Sequence, residues 1–182
     1  SFLKARFHLF IFICFHHIVF MTPMFRRIPC LLALLVFSAV AHAAPPKEAL
    51  LIANGKYAHF AGLGNPVPDA ERLGGVLQKI GFRVKVVRNG SREDMLEAIK
   101  EFEERLRGTG AIAFFHYGGH GVQVGGKNYL LPADADIPDE RRVAMRAVEL
   151  DEVMGALEQS GAKANVVVIE DSRSDRAVAE TA

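Results

Sequence analysis

The sequence predicts an α/β domain, a three-layer sandwich in which a mainly parallel sheet carries helices on both faces. Three observations predict it. Three short runs are apolar with little or no interruption, as strands buried on both faces require, and a fourth alternates apolar and polar. Between them lie segments whose apolar residues recur at spacings of three and four, the period of a helix with one buried face. Glycine, proline or a capping residue stands at most of the junctions.

The elements follow in order. Residues 49–53 (Ala-Leu-Leu-Ile-Ala) form the first buried strand. Residues 54–68 hold three glycines and two prolines and read as a loop. Asp69 stands where a helix N-cap belongs, ahead of Leu73, Val76, Leu77 and Ile80, and Gly81 ends that helix. Residues 82–87 alternate apolar and polar and form the second strand. Ser91 and Asp94 resemble a capping pair in front of a helix whose apolar face is Met95, Ile99, Phe102 and Leu106. Residues 111–115 form the third strand, 118–132 a glycine-rich loop and hairpin, and 133–148 a polar excursion. Leu150, Val153, Met154 and Leu157 mark a third helix, and residues 165–169 a fourth strand. Ligands of such sheets bind beyond the carboxyl ends of the strands, here 54–68, 116–121 and 170–175.

Charge and cysteine usage divide the 182 residues unevenly. Four basic residues (Lys4, Arg6, Arg26, Arg27) and no acid lie before residue 44, leaving 18 basic residues against 21 acids, net −3, in residues 44–182. The overall charge of +1 excludes a strongly basic nucleic-acid binder and an acidic disordered tail. Two cysteines, Cys14 and Cys30, exclude a disulfide scaffold and a four-cysteine zinc site, and neither lies in 44–182. Met24-Phe-Arg-Arg27, an apolar run of about 13 residues and Ala41-His-Ala43 have the order of a secretory signal. The run falls short of the roughly 20 residues a membrane span needs. Residues 21–43 are therefore expected to be a signal peptide that exports the chain to the periplasm or beyond. Residues 1–20 are expected to be upstream sequence, with a membrane hairpin as the rival reading, and 44–182 the folded domain.

Two strand ends carry candidate chemistry. His116-Tyr-Gly-Gly-His-Gly121 places His120 among glycines, which suits a general base beside backbone N–H groups; the same glycines equally suit a loop of tight backbone angles. Glu170-Asp-Ser-Arg173 sets a hydroxyl between carboxylates and a guanidinium, or is an ordinary surface turn. Zinc ligation by His116 and His120 is poorly supported, because their spacing helps only on a helix. No phosphate-loop or dinucleotide fingerprint occurs.

Taken together and in order, residues 49–54, 64–70, Gly81-Phe82, 117–121, 128–132, 150–153 and 165–169 resemble the large-subunit part of the caspase and metacaspase-like peptidases. The resemblance covers residues 48–176 and implies a caspase-like fold and cysteine-type endopeptidase activity. It makes His120 the catalytic histidine, Gly121 a residue whose N–H lines the oxyanion hole, and Ser172 the occupant of the nucleophile position, where the family carries cysteine. It makes Asp69 and Glu170 the acidic groups that bind Arg or Lys before the scissile bond, by charge-assisted hydrogen bonds.

Two departures qualify that expectation. A serine hydroxyl is much less acidic than a thiol and needs a tightly aligned base, so Ser172 predicts little or no turnover. Asp171 adds a negative charge beside the nucleophile position, against a developing oxyanion. Only ten residues follow Ser172, so the family's C-terminal strands are expected to be missing and the fourth strand to be an edge, completed by a partner chain or by a longer gene. The expected partner is a peptide or protein substrate with a basic residue, with no nucleic acid and, after signal cleavage, no membrane. No cofactor is expected. Asp134, Asp136 and Asp139 offer oxygen ligands for calcium, with a solvated acidic turn the stronger reading. Alternatives to the peptidase are a non-catalytic module that binds basic peptides and a truncated product without function.

Overall fold

The computed structural model describes residues 44–173. The expected upstream and signal segments, and residues 174–182, lie outside the described residues.

Strand β1 (Lys47–Ala53) is buried along nearly its whole length. It lies between β2 (Arg83–Arg88) and β3 (Ile112–Val124), parallel to both, with Leu51 in register with Val86 and His116. Strand β6 (Ala164–Arg173) runs parallel along the other edge of β3, from Ala164 opposite Ile112 to Arg173 opposite Gly121. Strand β4 (Lys127–Leu130) folds back antiparallel on β3, and β5 (Val148–Glu149) extends that antiparallel arm. Gly121 pairs with both Leu130 and Arg173, so β4 and β6 take opposite edges of β3.

The two faces of β1 are buried by different helices, which is why its sequence has no polar alternation. Ala49, Leu51 and Ala53 meet helix α1 (Pro66–Lys79) through Ala70 and Leu77. Leu50 and Ile52 meet helix α2 (Arg92–Leu106) through Met95, Ile99 and Phe102, together with Val153 and Leu157 of helix α4 (Leu150–Ser160). The helix face expected on α2 is buried in full, and Ser91 and Asp94 close a reciprocal capping box at its start. The three-layer α/β expectation holds.

Local expectations fail at five places. Asp69 is not an N-cap: α1 begins at Pro66, behind Asn65, because proline's fixed φ and missing N–H suit a first helical turn. Its buried stripe is Ala70, Gly74 and Leu77, while Val76 and Ile80 face outward. A Cβ at Gly74 would stand 3.4 Å from Leu51, so small residues set how closely α1 approaches the sheet.

Strand β3 does not end near residue 115. It runs 13 residues through the glycines, and none of Gly118, Gly119 and Gly121 has a positive φ. The chain reverses instead at Gly125 and Gly126, both with positive φ, as a two-residue hairpin turn demands.

The polar excursion 133–148 buries Ala135, Ile137, Val143 and Ala147 against Val122, Tyr129 and Leu131. It contains a 3₁₀ turn (Glu140–Arg142) and the short helix α3 (Val143–Arg146). Finally, residues 170–173 are not a turn, since β6 continues through Arg173. Among the described residues β3 is the one strand paired with β6, and Val166 on it is exposed.

Candidate active site

The last partner of β1 on β3 is Gly118, so His120 stands on the part of β3 that outruns β1 while still paired with β6. The site forms there, between β3, β6, the first turn of α1 and the loop that joins β1 to α1.

His120 is 5% exposed, not open at a rim as its glycine-rich setting suggests. Its Nε2 lies 2.8 Å from the carbonyl oxygen of Ala61. A carbonyl can only accept, so Nε2 carries the proton and Nδ1 is the basic nitrogen. The backbone N–H of His120 donates to the Tyr57 hydroxyl at 2.7 Å, and the imidazole leans on the Tyr57 ring at a centroid distance of 4.7 Å. Phe60 closes the other side of this small aromatic cage. The Tyr117 hydroxyl lies within donating distance of the carbonyls of His120 (2.7 Å) and Leu131 (2.9 Å). Burial pushes the Tyr57 phenol up, outweighing its hydrogen bonds with the His120 N–H and Tyr117.

Gly119 is where this packing leaves no room. A Cβ there would stand 2.6 Å from the hydroxyls of both Tyr57 and Tyr117. The glycine serves close approach, not a special backbone angle.

Ser172 is the register partner of His120 on β6, and Arg173 that of Gly121. Parallel neighbours stand roughly 4.8 Å apart, so the pairing brings positions 120 and 172, 52 residues apart in sequence, side by side. Gly121 lies inside the β3 ladders, between β4 and β6.

Asp69 and Glu170 meet at a pocket of about 330 Å³, whose other walls include Asn65, Pro66, Gly118 and Gly119. Asp69 forms an ion pair with Arg72 one helical turn on. Glu170 is the register partner of Gly118 and has a largely exposed side chain. Its Oε2 lies 3.5 Å from Nε2 of the buried His116. An open pocket with two carboxylates suits a cation, and Gly119 in its wall is the residue before His120.

The three acids of the 133–139 loop do not gather. Asp134 accepts from the backbone N–H of Arg92 at 3.0 Å, and Asp139 caps the 3₁₀ turn and pairs with Arg141. Among the described residues no group of three His, Cys, Asp or Glu side chains could hold a metal ion.

Sequence reasoning missed Ala61 and Tyr57. Ala61 contributes only a backbone carbonyl, which no side-chain pattern announces. Tyr57 is an aromatic residue in a loop of small and polar residues, a visible but unspecific signal.

Comparison with known proteins identifies the family. The family model described as Caspase domain matches residues 46–181. The chain is 32% identical over 95 residues to mucosa-associated lymphoid tissue lymphoma translocation protein 1 of Homo sapiens, and equally to its homologue in Mus musculus. Each match covers 52% of this chain and 11% of the relative, so the chain spans about a tenth of the length of these curated relatives.

Proposed function

The chain belongs to the Caspase domain family of peptidases, and we propose that within it this domain recognises an Arg or Lys side chain and acts on the following peptide bond with very low turnover. The observation that carries the proposal is the pairing of His120 with Ser172 next to the Asp69–Glu170 pocket.

In this reading a guanidinium or ammonium group enters the pocket and is held by Glu170 and Asp69 through charge-assisted hydrogen bonds. That anchors the next carbonyl beside His120 and position 172. His120, fixed by Ala61 and Tyr57, presents Nδ1 as general base and later returns the proton to the leaving amine. Position 172 supplies the nucleophile, and the N–H of Gly121 faces the developing oxyanion. The hydroxyl at position 172 limits the rate, because a thiol loses its proton to an imidazole far more readily. Residues 44–182 contain no cysteine to replace it.

The same observations support a second reading, a module that holds basic peptides without cutting them, since the pocket acids are present and the thiol is not. Export through the N-terminal signal is a further part of the proposal, tested by N-terminal sequencing of the expressed protein.

The deciding experiment incubates the full chain, wild type beside Ser172→Cys, with fluorogenic peptides ending in Arg or in Asp. The proposal expects cleavage after Arg by the Cys variant and a trace by the wild type. Cleavage after Asp would overturn the specificity. Binding of the Arg peptide with no cleavage by either protein would favour the binding module.

A further inference from the structure

His116 is 2% exposed, and its Nδ1 has no hydrogen-bond partner among the described residues. A buried polar atom left alone costs about 1–3 kcal/mol, so such an atom calls for a reason. The other ring nitrogen supplies one. Nε2 lies 3.5 Å from Oε2 of Glu170, the carboxylate that projects from β6 at the pocket. A neutral imidazole has one N–H. Placed on Nε2, that proton points toward a carboxylate oxygen a few tenths of an ångström beyond ordinary hydrogen-bond length, and the nitrogen left alone is a lone pair and not a stranded donor.

The position of the ring depends on Gly118. A Cβ at Gly118 would stand 3.3 Å from Cε1 of His116 and 3.5 Å from Pro66 at the start of α1. The bare backbone there lets the imidazole edge come up beneath the pocket. The charged group facing its Nε2 is Glu170 from β6; Asp69 of α1, paired with Arg72, shares the pocket with Glu170, and His120 lies four residues further along β3. Arg72 already neutralises Asp69 in part, which leaves Glu170 as the pocket's main acceptor for an incoming cation. Its side chain is 64% exposed, and an exposed glutamate otherwise spreads over several rotamers.

We propose that His116 is a positioning residue of the acidic pocket, its Nε2–H holding the Glu170 carboxylate beside Gly118 so that an incoming guanidinium meets a pre-set acceptor. This rests on the reading of the pocket as a site for basic side chains. It assigns a task to a histidine that neither accepts a proton from a nucleophile nor touches the scissile bond.

The test measures binding of agmatine, a guanidinium on a short chain, to the full-length protein by calorimetry. His116→Phe is expected to weaken binding about tenfold, the effect of one charge-assisted contact of roughly 1.4 kcal/mol. His116→Gln places an amide N–H near the former Nε2 and is expected to stay within about threefold of wild type. Thermal melts of each variant separate loss of binding from loss of fold. An independent arm uses long-range ¹⁵N–¹H correlation on the unsubstituted protein: Nε2 of His116 carries the proton, and its signal moves in Glu170→Gln and on adding agmatine. Equal binding by wild type and His116→Phe overturns the role of His116 and leaves the pocket reading standing. No agmatine binding by wild type overturns the pocket reading and this inference with it. An unprotonated Nε2, or one indifferent to Glu170→Gln, overturns the contact itself, whether or not the Phe variant folds.

Discussion

The imidazole of His120 donates from Nε2 to the carbonyl of Ala61 at 2.8 Å, and this one bond decides which nitrogen is basic. A residue whose side chain is a methyl group thereby sets the tautomer of the candidate catalytic histidine. Its carbonyl is held in a loop that Tyr57 also ties to His120.

Ser172→Cys is expected to raise cleavage of an Arg-ended fluorogenic peptide by about 100-fold or more, because the thiolate is accessible near neutral pH. His120→Ala in the Cys background is expected to abolish that gain. Initial rates of the three proteins check both statements.

Tyr57→Phe removes the hydroxyl that accepts from the His120 N–H. The N–H is left without that acceptor, at a cost of about 1–3 kcal/mol in urea unfolding. Gly119→Ala is expected to cost a similar amount for the opposite reason, about 1–3 kcal/mol of overpacking, since its Cβ would collide with two hydroxyls. Combining the two should be less than additive, because the first substitution removes one of the colliding atoms.

At the far end of β1, the buried Glu48 accepts from Arg83 at 2.8 and 3.0 Å and from Arg105 at 3.2 Å. Glu48→Gln is expected to destabilise the domain by about 2 kcal/mol. That is below the 3–5 kcal/mol of a fully buried pair, because the Arg83 side chain stands mostly in water. Chemical denaturation checks the size. Peptide binding at the opposite end of the sheet should not change.

Ser91→Ala opens the capping box of α2 and is expected to cost about 1 kcal/mol. The Ser91 hydroxyl, with its backbone N–H, also holds the Asp94 carboxyl below the usual carboxylate range. A carboxyl lowered by folding stabilises the native state above its unfolded pKa of about 3.9, and that contribution disappears as pH falls through the folded value. The stability difference between wild type and Ser91→Ala should therefore narrow below about pH 4, as thermal melts across pH would show.

What could be read in the sequence is local. The face of α2 and the capping box follow from spacing within a few residues, and every member of each falls where its spacing puts it. Asp69 misleads because two plausible helix starts compete, and Pro66 wins by suiting the first turn. The glycines of β3 read as breakers, yet they stay within the strand, and at Gly118 and Gly119 the His116 ring and the tyrosine hydroxyls stand where a side chain would begin. Ala135, Ile137, Val143 and Ala147 show no regular period, so a segment that forms a second apolar cluster reads as polar.

By itself the sequence determined an alternating α/β chain, an acidic domain without a thiol, and a family membership that assigns His120, Ser172, Asp69 and Glu170 their candidate chemistry. Each of these follows from residue identity or short-range pattern. Tertiary structure alone decided that Ser172 lies in register with His120, that Ala61 sets the histidine's tautomer, and that His116 lies beneath Glu170. Those relations join residues about 50 to 60 positions apart. They depend on strand register and on how closely a loop and a helix approach the sheet, and no local spacing encodes either distance.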